Sequence, residues 1–299
     1  MKIMKVMKVF SCSKQGDEQK GAVLIMVLWI VALLSMLGGY FTLETTLRRN
    51  LSFTNWNLLR ARLAIESCLN LVAPHIRPLG EEKEVDEKEK FIVPDGSTYK
   101  IDIGGEEMSF SIEDERGKLD INKAQEDEIV EFFTSFLGKT KGRQIADAIL
   151  DWRDNDDDER MDGAEKDYYL SLEPPYEPAN GKFILLEQLL LVKGVEPEIF
   201  WGPLEYGSSD KKEQGHSWEG GLQDLLSVYN GSDKMVEDVS PEPLVDIMEK
   251  EYFKDGQGLG TLRFKTCAYQ SCYQVFFRTG AGAKAGFSLV HWQQVPRFQ

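Results

Sequence analysis

From Gly21 to Leu43 the chain carries no charged residue, and at about 1.5 Å per residue such a run makes a helix of roughly 34 Å, enough to cross a bilayer core. Beyond it Leu47, Leu51, Leu58, Leu59, Leu63 and Ile65 continue at loosely helical spacing, with no proline before Pro74. The pattern predicts one helix from Ala22 to Ala73, about 75 to 80 Å long. Gly38-Gly39 is its weak point, since glycine costs nearly ~1 kcal/mol inside a helix. After Pro74 the charged stretch Glu81 to Lys90 reads as a solvated loop. Alternation then replaces the helical period over Thr98 to Ile103 and Met108 to Ile112, with turn signals at Asp95-Gly96 and Gly104-Gly105.

From Leu119 the period returns to helical. Glu126 to Leu137 carries Ile129, Val130, Phe132, Phe133 and Phe136, and Gly142 to Trp152 and Leu185 to Val192 follow. Weaker helical patterns cover Leu222 to Tyr229 and Pro243 to Phe253, within a Gly-rich and Ser-rich stretch that starts near Gly207. Three strand patterns end the chain, Thr261 to Cys267, Cys272 to Thr279 and Phe287 to Val295, with a turn at Gly280. The order predicts an α+β fold: a long N-terminal helix on an antiparallel sheet, with a large helical domain inserted into that sheet. The expected segments are 1–21, a basic N-terminus; 22–73, the long helix; 74–113, the first strands; 114–253, the helical insert; and 254–299, the closing strands.

Charge places the body. The net charge of −15 is the balance of +3 over residues 1–21, where Lys2, Lys5, Lys8, Lys14 and Lys20 face Asp17 and Glu18, and −18 over the rest. Lysines ahead of the span favour a cytoplasmic N-terminus and a body outside the cytoplasm, a bias diluted by Arg48 and Arg49. So acidic a body is repelled by phosphate backbones and is better matched to cations or basic protein surfaces. The apolar run is longer than that of a secretory signal peptide and lacks an A-x-A-like cleavage site.

The N-terminus resembles a known class. A basic leader ending in Lys20-Gly21, followed at once by Ala-Val-Leu-Ile-Met-Val-Leu-Trp-Ile-Val-Ala-Leu-Leu, is similar to that of type IV prepilins and pseudopilins. Most such subunits carry glutamate at the fifth mature position, which here is Met26, and the variant without it resembles the minor pseudopilin K family of type II secretion. In the body, Leu119-Asp-Ile-Asn-Lys-Ala124, Ala148-Ile-Leu-Asp-Trp-Arg-Asp-Asn-Asp156, Gly163-Ala-Glu-Lys-Asp-Tyr-Tyr169, Pro174-Pro-Tyr-Glu-Pro-Ala-Asn180 and Leu191-Val-Lys-Gly-Val195 resemble that family's signatures, in order. The match is poor from Gly207 to Phe253, where the family has a second Leu-x-Asn-x-Asn-like element that is not visible here.

The resemblance implies a pilin-like fold and cleavage between Gly21 and Ala22 by prepilin peptidase, with methylation of the new N-terminus. It implies a single-pass inner-membrane location with a periplasmic body. As partners it implies minor pseudopilins I and J, the major pseudopilin and the inner-membrane secretion platform. The function implied is to initiate and cap the tip of the pseudopilus; a minor pilin of a type IV pilus is the near alternative.

A rival class is a membrane-anchored DNA-binding protein. Leu137 to Ala146 and Leu191 to Val195 also resemble helix-hairpin-helix elements, which hold phosphates through backbone amides and lysines. Catalysis is disfavoured. Ser217 beside His216 is the nearest pairing of nucleophile and base, and no Gly-x-Ser-x-Gly elbow occurs.

Two sites are predicted. Cys267 and Cys272 flank four residues; in a hairpin they face each other within disulfide reach, whereas in one continuous strand they point to opposite faces. Between Asp151 and Asp167 nine acids stand against Arg153, Arg160 and Lys166. Counted from Asp154, acids at positions 1, 3 (Asp156), 5 (Asp158), 9 (Asp162) and 12 (Glu165) match a calcium loop, although position 6 is Glu159 rather than glycine. Carboxylates without Cys or His favour calcium over zinc. The family resemblance implies calcium in the same region, falling on Asp154, Asp156, Glu165 and Asp167. A structural calcium ion is therefore the expected cofactor.

Overall fold

A computed structural model describes residues 15–79, 91–206, 216–269, 271–279 and 287–295. The predicted loop over Glu81 to Lys90, the first residues of the leader and the turn at Gly280 lie outside the described residues. The chain divides into two units, 1–60 and 61–299.

In the first unit helix α1, Gln15–Val72, begins a turn and more before the expected Ala22 and continues through Gly38-Gly39. Nothing crowds those glycines, so the helical hydrogen bonds there carry only their intrinsic cost. Every large apolar side chain from Val23 to Leu43 is exposed, and an apolar window of mean hydropathy 2.4 makes α1 long and apolar enough to cross a membrane.

In the second unit α1 turns amphipathic. Ala61, Ile65, Cys68, Leu69 and Val72 are buried, a stripe spaced at 4, 3, 1 and 3 residues that covers one side of a sheet. The sheet starts with β1 (Asp95–Ile103) and β2 (Glu106–Asp114), joined at Gly104-Gly105 where both glycines take positive φ. It resumes with β9 (Thr261–Ala268), β10 (Ser271–Thr279) and β11 (Phe287–Val295), in the order β1-β2-β9-β10-β11 with every neighbour antiparallel. Phe110, Ile112, Leu262, Phe264, Val275 and Phe277 meet the stripe of α1 and form one core. Cys267 and Cys272 sit opposite each other at the β9–β10 hairpin with Cα atoms 4.0 Å apart, and their sulfurs are bonded. The continuous-strand alternative is therefore not the one found.

Everything between β2 and β9 is an insert. Exit and return are adjacent because Asp114 pairs with Leu262, and Arg116 closes the neck by donating to the carbonyls of Gln257 and Gly258 at 3.0 and 2.7 Å. Within the insert follow β3 (Leu119–Asp120), α2 (Glu126–Leu137), α3 (Lys139–Arg153), α4 (Lys166–Leu170), α5 (Pro197–Trp201), β4 (Leu204–Tyr206), β5 (His216–Trp218), α6 (Leu222–Leu225), β6 (Leu226–Ser227), β7 (Met235–Val236), α7 (Glu242–Ile247) and β8 (Phe253–Lys254). Three expected helices are corrected. Leu185 to Val192 is a 3-10 helix, Leu186–Leu191. The patterns over Leu222 to Tyr229 and Pro243 to Phe253 each break into a short helix followed by a two-residue strand. Those strands form because Leu226-Ser227 and Phe253-Lys254 find parallel partners at Leu119-Asp120 and Met235-Val236, contacts that a local periodicity does not encode. The insert has its own core around Phe132, Phe133, Trp152, Tyr169 and Phe200.

Between the two cores lies a buried set of charges. The Arg263 guanidinium on β9 meets Glu115 (Nε to Oε1 2.7 Å, Nη2 to Oε2 3.0 Å) and donates to the Gln223 carbonyl at 2.7 Å. Lys118 approaches Glu113 at 2.5 Å and Glu115 at 3.0 Å, while Lys265 joins Glu113 to Asp224, at 2.6 Å each.

Candidate metal centre

The acidic loop is positioned by a tight helical hairpin. Apolar residues at 129, 132, 133 and 136 bury one face of α2, and Gly138 at φ +79° lets the chain reverse into α3. The helices cross closely at Gly142, where a Cβ would stand 2.3 Å from the Phe133 carbonyl oxygen. Trp152, near the end of α3, packs on Tyr169 and Phe183, and the Gly181 amide donates to the Trp152 carbonyl at 3.2 Å. Trp152 stands just before the loop from Asp154 to Glu165 and Tyr169 just after it, so their contact holds the two ends of that segment together.

Asp151 closes the loop. It is fully buried, its Oδ2 accepts from the amides of Arg160 and Ala164 at 3.2 and 2.9 Å, and its Oδ1 accepts from Arg160 Nη1 at 2.9 Å. Gly163 is required beside it, because a Cβ there would overlap Asp151 Oδ2. The closure brings oxygens of Asp154, Asp156 and Glu165 within 4.8 Å of one another. Glu165 is 5% exposed, and neither of its carboxylate oxygens has a hydrogen-bond partner; Asp154 Oδ1 is likewise buried and unpartnered. Burial, reinforced by the negative charges of Asp151, Asp154, Asp157 and Asp156, pushes the Glu165 carboxyl up to about 7. Unpartnered buried oxygens on Glu165 and Asp154, converging with the exposed carboxylate of Asp156, fit a hard divalent cation bound through oxygen.

Three of the six expected ligands thus meet. Asp158 and Asp167 are exposed and Asp162 is half-buried, all outside the group. The regular calcium-loop spacing stops after Asp156, whose Oδ1 accepts from the Asp158 amide at 3.1 Å, so the chain tightens there instead of turning at a glycine. Sequence reasoning passed over Asp151 and Arg160 as parts of a charge run. It also passed over Asn180, at φ +40°, whose Nδ2 donates to the Asp156 carbonyl and to Asp157 Oδ1, both at 3.2 Å. Only its place in the Pro174 to Asn180 motif pointed to it.

Two of the hairpin lysines that suggested DNA are engaged within the domain. Lys141 pairs with Glu196 at 3.0 Å, and Lys193 donates to the Gly163 carbonyl at 2.6 Å and lies over the Tyr168 ring. His216 and Ser217 lie on β5, and their side chains fall outside the described ones, as do those of α1 up to Ala22, next to Gly21.

Comparison with known proteins agrees with the motif pattern. Residues 117–201 match the family model for type II secretion system protein K. "Putative type II secretion system protein K" of Escherichia coli (strain K12) is 27% identical over 205 residues, 64% of this chain and 62% of that protein, so the chain spans under two thirds of its length. Among solved structures, the GspK-GspI-GspJ complex from the type 2 secretion system of enterotoxigenic Escherichia coli has a similar fold, with TM-score 0.53 and 13% identity over 83% of this chain and 99% of that one. The resemblance read from the motifs is borne out over residues 117–201, which hold the acidic loop and match the type II secretion system protein K family model.

Proposed function

We propose that this chain is a minor pseudopilin of a type II secretion system, initiating and capping the tip of the periplasmic pseudopilus. The observation that carries the reading is the insertion of a protein K domain between adjacent strands of a sheet packed on a pilin-type helix. A head enlarged in this way is hard to bury inside a helical array and is tolerated best at an end. Met26 supports the same place, since the first subunit needs no acidic side chain to neutralise the amine of a subunit above it. Minor pseudopilins I and J are the partners, as the fold match to a chain of the GspK-GspI-GspJ complex suggests, with the major pseudopilin below and the inner-membrane platform as the site of assembly. The apolar half of α1 anchors the subunit in the inner membrane with its head in the periplasm.

In this reading Asp154, Asp156 and Glu165 hold a structural calcium ion that neutralises the loop; no catalytic step is assigned. Co-expression of the full chain in detergent with candidate minor pseudopilins I and J is expected to yield a co-purifying complex. Failure to retain either one would overturn the tip assignment. Intact mass of the membrane-extracted protein should correspond to a chain that begins at Ala22 and is methylated there, and retention of Met1 would return α1 to a simple anchor.

A further inference from the structure

Arg160 is the one arginine inside the acidic loop whose side chain bridges two carboxylates. Its Nη1 donates to Asp151 Oδ1 at 2.9 Å and to Asp154 Oδ2 at 2.7 Å. Its own amide donates to Asp151 Oδ2, and its carbonyl accepts from the Gly163 amide at 3.1 Å, two residues before Glu165. Side chain and backbone together therefore fix where both ends of the loop stand. The bridge also sorts the oxygens of Asp154. Oδ2 is taken by Arg160, whereas Oδ1 is left buried and unpartnered, beside a Glu165 with both oxygens free. Asp151, with both oxygens occupied by amides and guanidinium, is withheld from the cation.

We propose that Arg160 is the positioning residue of the metal centre: it makes Asp154 a one-oxygen ligand, keeps Asp151 out of the ligand set, and leaves Glu165 as the carboxylate able to offer two oxygens. The inference rests on the calcium reading of the preceding subsection. Charge alone predicts the opposite outcome, since deleting a cation next to a cation site strengthens binding. The sign of the effect therefore separates positioning from electrostatics. An outer ring of weaker pairs, with Glu126 3.9 Å from Arg160 and 3.6 Å from Arg143, leads away from the site towards α2.

The test is calorimetric titration of calcium into the full chain in detergent, for the native protein, Arg160→Gln and Arg160→Lys. Arg160→Gln is expected to bind calcium about 10-fold more weakly despite the more negative loop, a difference of about 1.4 kcal/mol. Arg160→Lys keeps the charge but not the planar fork, and should fall between the two. Native-like or tighter binding by Arg160→Gln overturns the assignment while leaving the calcium site intact. Absence of binding by the native protein overturns the site itself. Should Arg160→Gln fail to fold, Arg160→Lys decides: at least threefold weakening supports the assignment, and unchanged affinity overturns it.

Discussion

Replacing Glu115 by alanine is expected to destabilise the unit formed by residues 61–299 by about 3–5 kcal/mol, because it strands charges in a place that water does not reach. Glu115 and Lys118 are 0% and 1% exposed, and Arg263 is 1% exposed. Burial opposes the charge on Glu115, but the Arg263 and Lys118 cations outweigh it and hold the carboxyl below the usual carboxylate range. The loss of Glu115 leaves the guanidinium without its carboxylate and Lys118 with Glu113 alone. For a unit of this size the expected fall in melting temperature is roughly 6–20 °C. The double variant Glu115→Ala/Arg263→Leu should recover part of the loss, because the apolar replacement removes the stranded guanidinium and packs beside Phe276. Thermal denaturation in detergent at neutral pH measures both. A single-variant change under ~1 kcal/mol would show that the charges are solvated, as a surface pair would be. The sign with pH follows from the lowered carboxyl: this stability is present above the ordinary glutamate range and is lost only as pH falls through the depressed value.

These charges were not legible in the sequence, and the reason is geometric. On β9, Leu262 and Phe264 alternate with Arg263 and Lys265, which reads as a strand with one wet face. The insert covers that face through Gln223, Asp224 and Leu226, so the polar side of the alternation is buried as well. By contrast α1 and the five long strands were legible, since each is long enough for its own period to show. The two-residue strands at 226–227 and 253–254 were not, because their pairing partners are far away in the chain. At the metal centre the composition located the loop, and the motifs located Asp154, Asp156 and Glu165. Which acids converge was decided by Asp151 tying residues 160 and 164 to α3, a closure that spacing along the chain does not express.

Calcium at ~5 mM is expected to raise the melting temperature of the full chain relative to EGTA, and the size of the rise follows from mass action. With an affinity on the order of 10⁻⁴ to 10⁻³ M, as for extracellular modules, a ligand that binds only the folded state stabilises it by about 1 to 2.3 kcal/mol at that concentration. For this size of unit that is roughly 2–9 °C. Asp156→Ala and Glu165→Ala should lose the response. Glu165→Ala should also stabilise the calcium-free protein at high pH, because it deletes a buried carboxylate whose oxygens have no partner. The pH dependence distinguishes a built site from a general acidic surface. Without calcium the Glu165 carboxyl is raised from 4.5 to about 7, so the folded state holds a proton that the unfolded chain has already released, and stability falls as pH rises between those values. Calcium requires the carboxylate, so binding releases that proton, and the calcium-induced shift should grow from pH 6 to pH 8. A melting temperature that calcium leaves unchanged at pH 8 would mean that solvent, the Arg160 bridge and the backbone amides on Asp151 suffice to keep the loop closed without a cation, and the metal centre would have to be abandoned.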